Sequence, residues 1–121
     1  AAVPAHRPDV AIVHAQQADR KGNVQLWGIT GVQKEVVLAA RHSIVTVEEI
    51  VDRFERRPDS VVLPSWVIDA VACVPRGAHP SYAHGYYERD NAFYVAWEAI
   101  SRDRDVFTAW MREHVLGAVP V

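Results

Sequence analysis

Val10-Ala11-Ile12-Val13-His14-Ala15 and, beyond an amphipathic segment, Ser43-Ile44-Val45-Thr46-Val47 are the stretches that decide the fold. Each is short, continuous and β-branched, which suits a strand covered on both faces of an α/β sheet. Between them, residues 33–42 set Val36, Val37 and Ala40 on one side with Lys34 and Arg41 elsewhere, and Ala39-Ala40 adds helix propensity. Strand, helix, strand in this order requires a right-handed crossover onto a parallel sheet. The fold expected is therefore an α/β domain with an open, mostly parallel sheet and flanking helices.

Outward from these strands, polar Gln16 and Gln17 close the first one, and Ala18-Asp19-Arg20-Lys21-Gly22-Asn23-Val24 forms a tight turn. In that turn Asp19 accepts from following backbone N–H groups and Gly22 takes a positive φ. Val24-Gln25-Leu26-Trp27 alternates apolar and polar like a half-exposed edge strand. Glu48 and Glu49 end the second buried strand, residues 51–60 form a charged loop or frayed helix, and residues 66–74 read as a third buried strand that includes the single cysteine, Cys73. Asp90 caps a helix over residues 91–101 carrying Phe93, Trp97 and Ile100 at helical spacing. Asp103 or Asp105 caps a second, with Phe107, Trp110, Met111 and Val115. Residues 1–8, with two prolines, read as a linker, and 9–121 as one α/β domain ending in two helices.

Composition removes several functions. The chain has 121 residues, half of them apolar, enough for one compact domain. Thirteen Lys and Arg against fifteen Asp and Glu leave no basic stripe for nucleic acid. The apolar runs at residues 10–13 and 67–74 are far shorter than the ~20 residues that cross a bilayer, and the N-terminus lacks the apolar core of a secretory leader. One cysteine forms no internal disulfide, so a reducing cytoplasm is the expected compartment.

Three pieces in order, Ala18-Asp19-Arg20-Lys21-Gly22-Asn23-Val24, then Ala39-Ala40, then Ile44-Val45-Thr46-Val47-Glu48-Glu49-Ile50-Val51, resemble the alpha subunits of class I coenzyme A transferases. The later Val67-Ile68-Asp69-Ala70-Val71, Pro75-Arg76-Gly77-Ala78-His79-Pro80 and Tyr86-Tyr87-Glu88-Arg89-Asp90, with two terminal helices, resemble the glutaconate type over its C-terminal half. The resemblance runs from about residue 9 to the end. It implies an alpha and a beta subunit that build a site between them, a hetero-oligomer, and a coenzyme A thioester as substrate. It also implies ping-pong covalent catalysis, in which a glutamate carboxylate attacks the acyl-CoA, giving an anhydride and then a glutamyl-CoA thioester. In the family that glutamate sits in a Glu-x-Gly setting of the beta subunit. This chain contains no Glu-x-Gly, and the glycine-rich N-terminal half of the alpha subunit is absent, so the resemblance assigns no catalytic residue here and implies an inactive chain on its own. Related readings are a CoA-dependent ring-opening hydrolase subunit of steroid degradation, which shares the fold but lacks the transferase nucleophile, and a non-catalytic binding or assembly module.

Substrate or interface candidates follow from position. Sites in α/β sheets gather at the C-terminal ends of parallel strands, which singles out Glu48 and Glu49; the structural alternative is a hydrogen-bonded strand terminus. His14 ends the first strand, where it either contacts an acyl group or bonds a backbone carbonyl. His79 lies in a loop after a strand, where function concentrates. His79, His84 and Glu88 match no zinc spacing, so no metal is expected. Arg53, Arg56, Arg57 and Arg76 could meet coenzyme A phosphates, or form a solvated face. Trp97, Phe107 and Trp110 read as core, and Cys73 as buried and inert.

Overall fold

A computed structural model of the chain describes residues 2–55 and 57–117. The chain divides into two compact units, residues 1–88 and 89–121. In the first, the elements are β1 (Val10–Asp19), β2 (Val24–Trp27), α1 (Gln33–Ala39), β3 (His42–Val51), β4 (Ser60–Leu63) and β5 (Ala70–Cys73), with a 3-10 turn over Ser65–Val67. The sheet order is β4-β2-β1-β3-β5. β1, β3 and β5 are parallel, as the strand–helix–strand order requires, while β2 runs antiparallel to both β1 and β4, so the sheet is mixed.

β1 does not stop at the glutamines. Gln16 is 7 % exposed, and its amide meets the Trp27 backbone at both ends, Nε2–H donating to the carbonyl (3.1 Å) and Oε1 accepting from the N–H (3.2 Å). A side chain here replaces a ladder pair, which lets a polar residue stay inside a buried strand. β2 is interior rather than an edge, and all four of its residues are buried, because β4 pairs along its outer side. The third strand is shorter than its apolar run, since Trp66 and Val67 lie in the 3-10 turn. It is also an edge, and Cys73 is exposed there instead of buried.

The core comprises Val13, Ala15, Ala18, Val24, Leu26, Val37, Val45, Val47 and Leu63. α1 contributes Val37 as its buried residue with Val36 packed against the core, and it ends at Ala39 because His42 already pairs in β3. On the other face of the parallel strands the register aligns Ile12, Ile44 and Ala70 in one row. Ile12 is 72 % and Ile44 37 % exposed. A parallel sheet is ordinarily covered on both faces, so this row is an apolar surface of the kind that takes a cover.

Burial alternates along β1 and β3 and then doubles, at Ala15-Gln16 and at Val47-Glu48. The register runs from Ala15 opposite Val47 to Gln17 opposite Glu49 and Ala18 opposite Ile50. Both strands therefore change phase at the same level, and the polar residue at each step is turned inward.

The turn after β1 is built as its residues require. Asp19 Oδ1 accepts from Lys21 N (2.8 Å) and Asn23 N (2.9 Å), and Gly22 has φ +82°. Asn23 then links two segments, donating from Nδ2 to Asp19 (2.7 Å) and accepting at Oδ1 from Ser65 N (2.9 Å). Asn23→Ala removes both bonds and is expected to lower stability by about 1–2 kcal/mol, read from the urea midpoint.

In the second unit, α2 (Asn91–Arg102) and α3 (Arg104–Met111) start at the expected caps: Asp90 accepts from Phe93 N (2.9 Å), and Asp103 from Asp105 N (2.8 Å) and Val106 N (3.0 Å). A π-helical turn, Arg112–Leu116, follows. Phe93 stacks on Trp97 (5.7 Å), and Trp97 meets Trp110 (4.9 Å) and Phe107 (6.0 Å) edge to face. These aromatics pack on one another, yet no residue of either helix is fully buried. No helix among the described residues is long and apolar enough to cross a membrane.

Candidate functional site

The structure brings two of the four singled-out residues together. Pairing of β1 with β3 sets His14 directly opposite Thr46, with Glu48 one step further along the same strand. His14 Nε2–H donates to Glu48 Oε1 (2.6 Å), and Nδ1 lies 2.8 Å from the Thr46 hydroxyl, which can supply the proton for an unprotonated Nδ1. Both ring nitrogens are thus engaged, by side chains and not by a backbone carbonyl.

The Glu48 side chain is only 4 % exposed. Its second oxygen accepts from Arg76 N (2.8 Å), and the Tyr87 hydroxyl donates to the same carboxylate. Tyr87 in turn accepts from Ala78 N (2.9 Å). Burial by itself raises a carboxyl's pKa, but the bonds from Arg76, His14 and Tyr87 outweigh it and hold Glu48 below the usual carboxylate range. The same burial, together with the bond to Glu48, pushes the Tyr87 phenol up.

This buried charge organises the segment after β5. Arg76 is the one non-glycine residue at positive φ (62°) among those described, a conformation that costs energy unless its surroundings hold it. The bond from its N–H to Glu48 does so, and its guanidinium rests over the Tyr87 ring at 4.9 Å. Next to it, Gly77 packs against the imidazole: a Cβ there would fall 2.8 Å from His14 Cε1 and Nδ1 and 2.9 Å from the Val74 carbonyl oxygen.

The segment so held forms one wall of a cleft of about 170 Å³, lined by Ala78 and residues 81–84, with His14, Gln16, Trp27, Ile29 and Gln33 opposite. It lies beside His14 in the middle of β1, at the level of Ala15 and Val47 where β5 ends. No Lys, Arg, Asp or Glu lines it. Trp27 is 6 % exposed, and its Nε1–H has no acceptor among the described residues.

The other candidates fall elsewhere. Glu49 points away from Glu48 and is exposed, accepting from Gln17 Nε2 (2.5 Å) and the Tyr86 hydroxyl (2.6 Å). Burial and the neighbouring Glu49 raise the Tyr86 phenol. His79 is exposed in the turn held by Glu48, outside the cleft lining. Arg57 stacks on Trp27 (4.4 Å) and pairs with Asp59 (3.5 Å), Arg53 lies by the β1–β2 turn, and Arg56 lies outside the described residues. Thr46, Gly77, Tyr87 and Trp27 do not stand out in the sequence as site residues. A signal exists for Thr46, a hydroxyl interrupting an apolar strand, but its meaning depends on which residue stands opposite.

Residues 2–73 match the family model for coenzyme A transferase. Over 117 residues the chain is 65% identical to the A subunit of the 3-oxoadipate CoA-transferase of Pseudomonas knackmussii, covering 97% of this chain and 42% of that one. It is 40% identical over 116 residues to the A subunit of the glutaconate CoA-transferase of Acidaminococcus fermentans, covering 94% and 36%. The crystal structure of glutaconate coenzyme A-transferase from that organism superimposes with a TM-score of 0.83 at 39% identity, over 93% of this chain and 36% of the other. A cholesterol ring-cleaving hydrolase IpdA subunit of Rhodococcus jostii is 31% identical over 97 residues, covering 76% and 33%. The chain thus spans less than half the length of these relatives.

Proposed function

Because the chain belongs to the coenzyme A transferase family, we propose that it is the C-terminal half of a CoA-transferase alpha subunit that moves coenzyme A between an acyl-CoA and a carboxylic acid. In this reading it acts in a hetero-oligomer with its own N-terminal half and a beta subunit, in the cytoplasm. The 65% identity to a subunit of a 3-oxoadipate CoA-transferase supports a short oxo-dicarboxylate as the acyl group; the hydrolase reading rests on a 31% likeness.

The observation that carries the division of labour is the state of Glu48. Covalent CoA transfer needs a carboxylate free to attack a thioester carbonyl. Glu48 bonds His14, which lines the cleft, and it is buried with both oxygens engaged. Its role is to hold the wall of a site, and the nucleophile comes from the partner. The bare row of Ile12, Ile44 and Ala70 fits the same picture, as a surface awaiting the rest of the assembly.

The test is to compare this chain with the complete alpha subunit co-expressed with its beta partner, assaying exchange of coenzyme A between a set of acyl-CoA thioesters and a panel of carboxylates that includes 3-oxoadipate. The heteromer is expected to exchange CoA and the chain alone to show none. Full activity from the chain alone overturns the proposal.

A further inference from the structure

We propose that the flank of β1 facing away from β3, over residues 10–13, receives a strand from the N-terminal half of the complete alpha subunit, running parallel to β1 and in line with β2. This rests on the half-subunit reading above.

Register is the first argument. β1 pairs with β3 from Val10 opposite His42 to Asp19 opposite Val51, but with β2 only through Gln17 and Ala18. The Gln16 amide then takes the Trp27 backbone, and Gly28, at φ +87°, ends β2. The first half of β1 is therefore a sheet edge, although the strand stands third of five in the sheet. Main-chain groups face alternate sides along a strand. The Asp9 carbonyl faces β3, accepting from His42 N (3.0 Å), so those of Val10, Ile12 and His14 face the open side. There the His14 carbonyl accepts from the Gln33 amide (3.3 Å), while no strand among those described pairs with Val10 or Ile12 on that side. The open length is four residues, the same as β2, β4 and β5.

Exposure is the second. Ile12 and Ile44 share a row and a face, yet Ile12 is 72 % exposed and Ile44 37 %. Ile44 has a strand on each side and Ile12 has one. Chemistry is the third. Exposed edges are normally guarded by Lys, Pro, a bulge or an inward charge. Val10-Ala11-Ile12-Val13 carries none of these, and a β-branched run suits a strand paired on both sides within a parallel sheet.

Place in the sheet selects the occupant. β4 and β5 are the outer edges, where a docked subunit would add a strand. The flank of β1 instead lies behind β2 and β4, two strand spacings or ~10 Å in from the outer edge. A strand there is an inner part of the same fold, and the relatives that this chain matches have more than half their length outside it. Handedness agrees. α1 joins β1 to β3 and packs Val37 with Val13 and Val45. Strands continuing outward from the open flank step in the opposite direction, so right-handed crossovers between them put their helices on the other face, the one that bears Ile12.

The experiment follows hydrogen exchange at single amides in the complete alpha subunit, assembled with its beta partner. The amides of Ala11 and Val13 face β3 and serve as the internal reference. Those of Val10 and Ile12 are expected to exchange as slowly as the reference, at least about a hundredfold below the rate of an unpaired amide. Fast exchange at Val10 and Ile12 beside slow exchange at Ala11 and Val13 overturns the proposal. To identify the occupant, benzoylphenylalanine replaces Ile12 in the same heteromer and is photolysed. Crosslinks are expected within the alpha subunit, to its N-terminal half. Crosslinks to the beta subunit, or between light and heavy alpha chains in a mixed preparation, overturn the assignment, as does no crosslink at all. A heteromer that transfers coenzyme A with Val10 and Ile12 unprotected sinks the strand and leaves the transferase reading standing. Protected amides in a heteromer that transfers none do the reverse.

Discussion

Glu48→Ala is expected to cost this fold about 3–5 kcal/mol, the usual penalty for removing one partner of a buried, hydrogen-bonded charge. Three donors lose their acceptor at once: His14 Nε2–H, Arg76 N–H and the Tyr87 hydroxyl. Arg76 then has nothing to hold it at φ 62°, and the cleft wall from Ala78 to His84 loosens. Glu48→Gln keeps the volume but turns an amide NH₂ toward donors, so it recovers only part of the loss. The pH dependence has a definite sign. The carboxyl's pKa is lower in the folded chain than in the unfolded one, so its contribution is complete above the unfolded value of about 4.3 and fades as pH falls through the folded value. Urea melts from pH 7 downward should show wild type and Glu48→Gln converging below about pH 4. A constant gap between them would show that ionised Glu48 is not the source of the stability.

The second large effect is expected at Gly77. It lies at the chain surface, where a glycine-to-alanine change is normally mild, yet the added Cβ would meet an imidazole pinned at both nitrogens and a backbone carbonyl, all within 2.9 Å. Neither can yield as a flexible side chain would. Gly77→Ala should therefore behave as overpacking, costing roughly 2 kcal/mol and about 5–10 °C in Tm. His14→Ala removes the imidazole from that spot, so the double variant should be less destabilised than the sum of the two single changes. Strict additivity would disprove the contact.

These two residues show what the sequence could and could not convey. The parallel order of β1, α1 and β3 was readable, because β-branched runs flanking a helical pattern admit few arrangements. So were the helix caps at Asp90 and Asp103, which depend on residues only a few positions away. His14 and Glu48 were each recognisable as residues near strand ends, but their pairing depends on register, and register is a relation between segments 34 residues apart. The same limit explains the errors. Gln16 and Gln17 look like a strand ending because polar residues usually are one, and nothing local reveals that the Trp27 backbone waits for the Gln16 amide. Cys73 looks buried from its apolar neighbours, whereas its exposure follows from β5 being last in the sheet.

The simultaneous phase change in β1 and β3 constrains how the chain can vary in length among its descendants. Ala15 faces Val47 and Ala18 faces Ile50, with the same spacing on both strands. Loss of one residue at Gln16 alone would leave β3 longer than its neighbour and shift every later pair by one position, parting Gln17 from Glu49 and Asp19 from Val51. A matching loss at Glu48 would restore the ladder while deleting the carboxylate that anchors the cleft wall. Insertions and deletions here are therefore viable only as coupled events, and lineages that made both would be recognisable by a missing glutamate, a strand one residue shorter on each side, and a different anchor for the segment after β5.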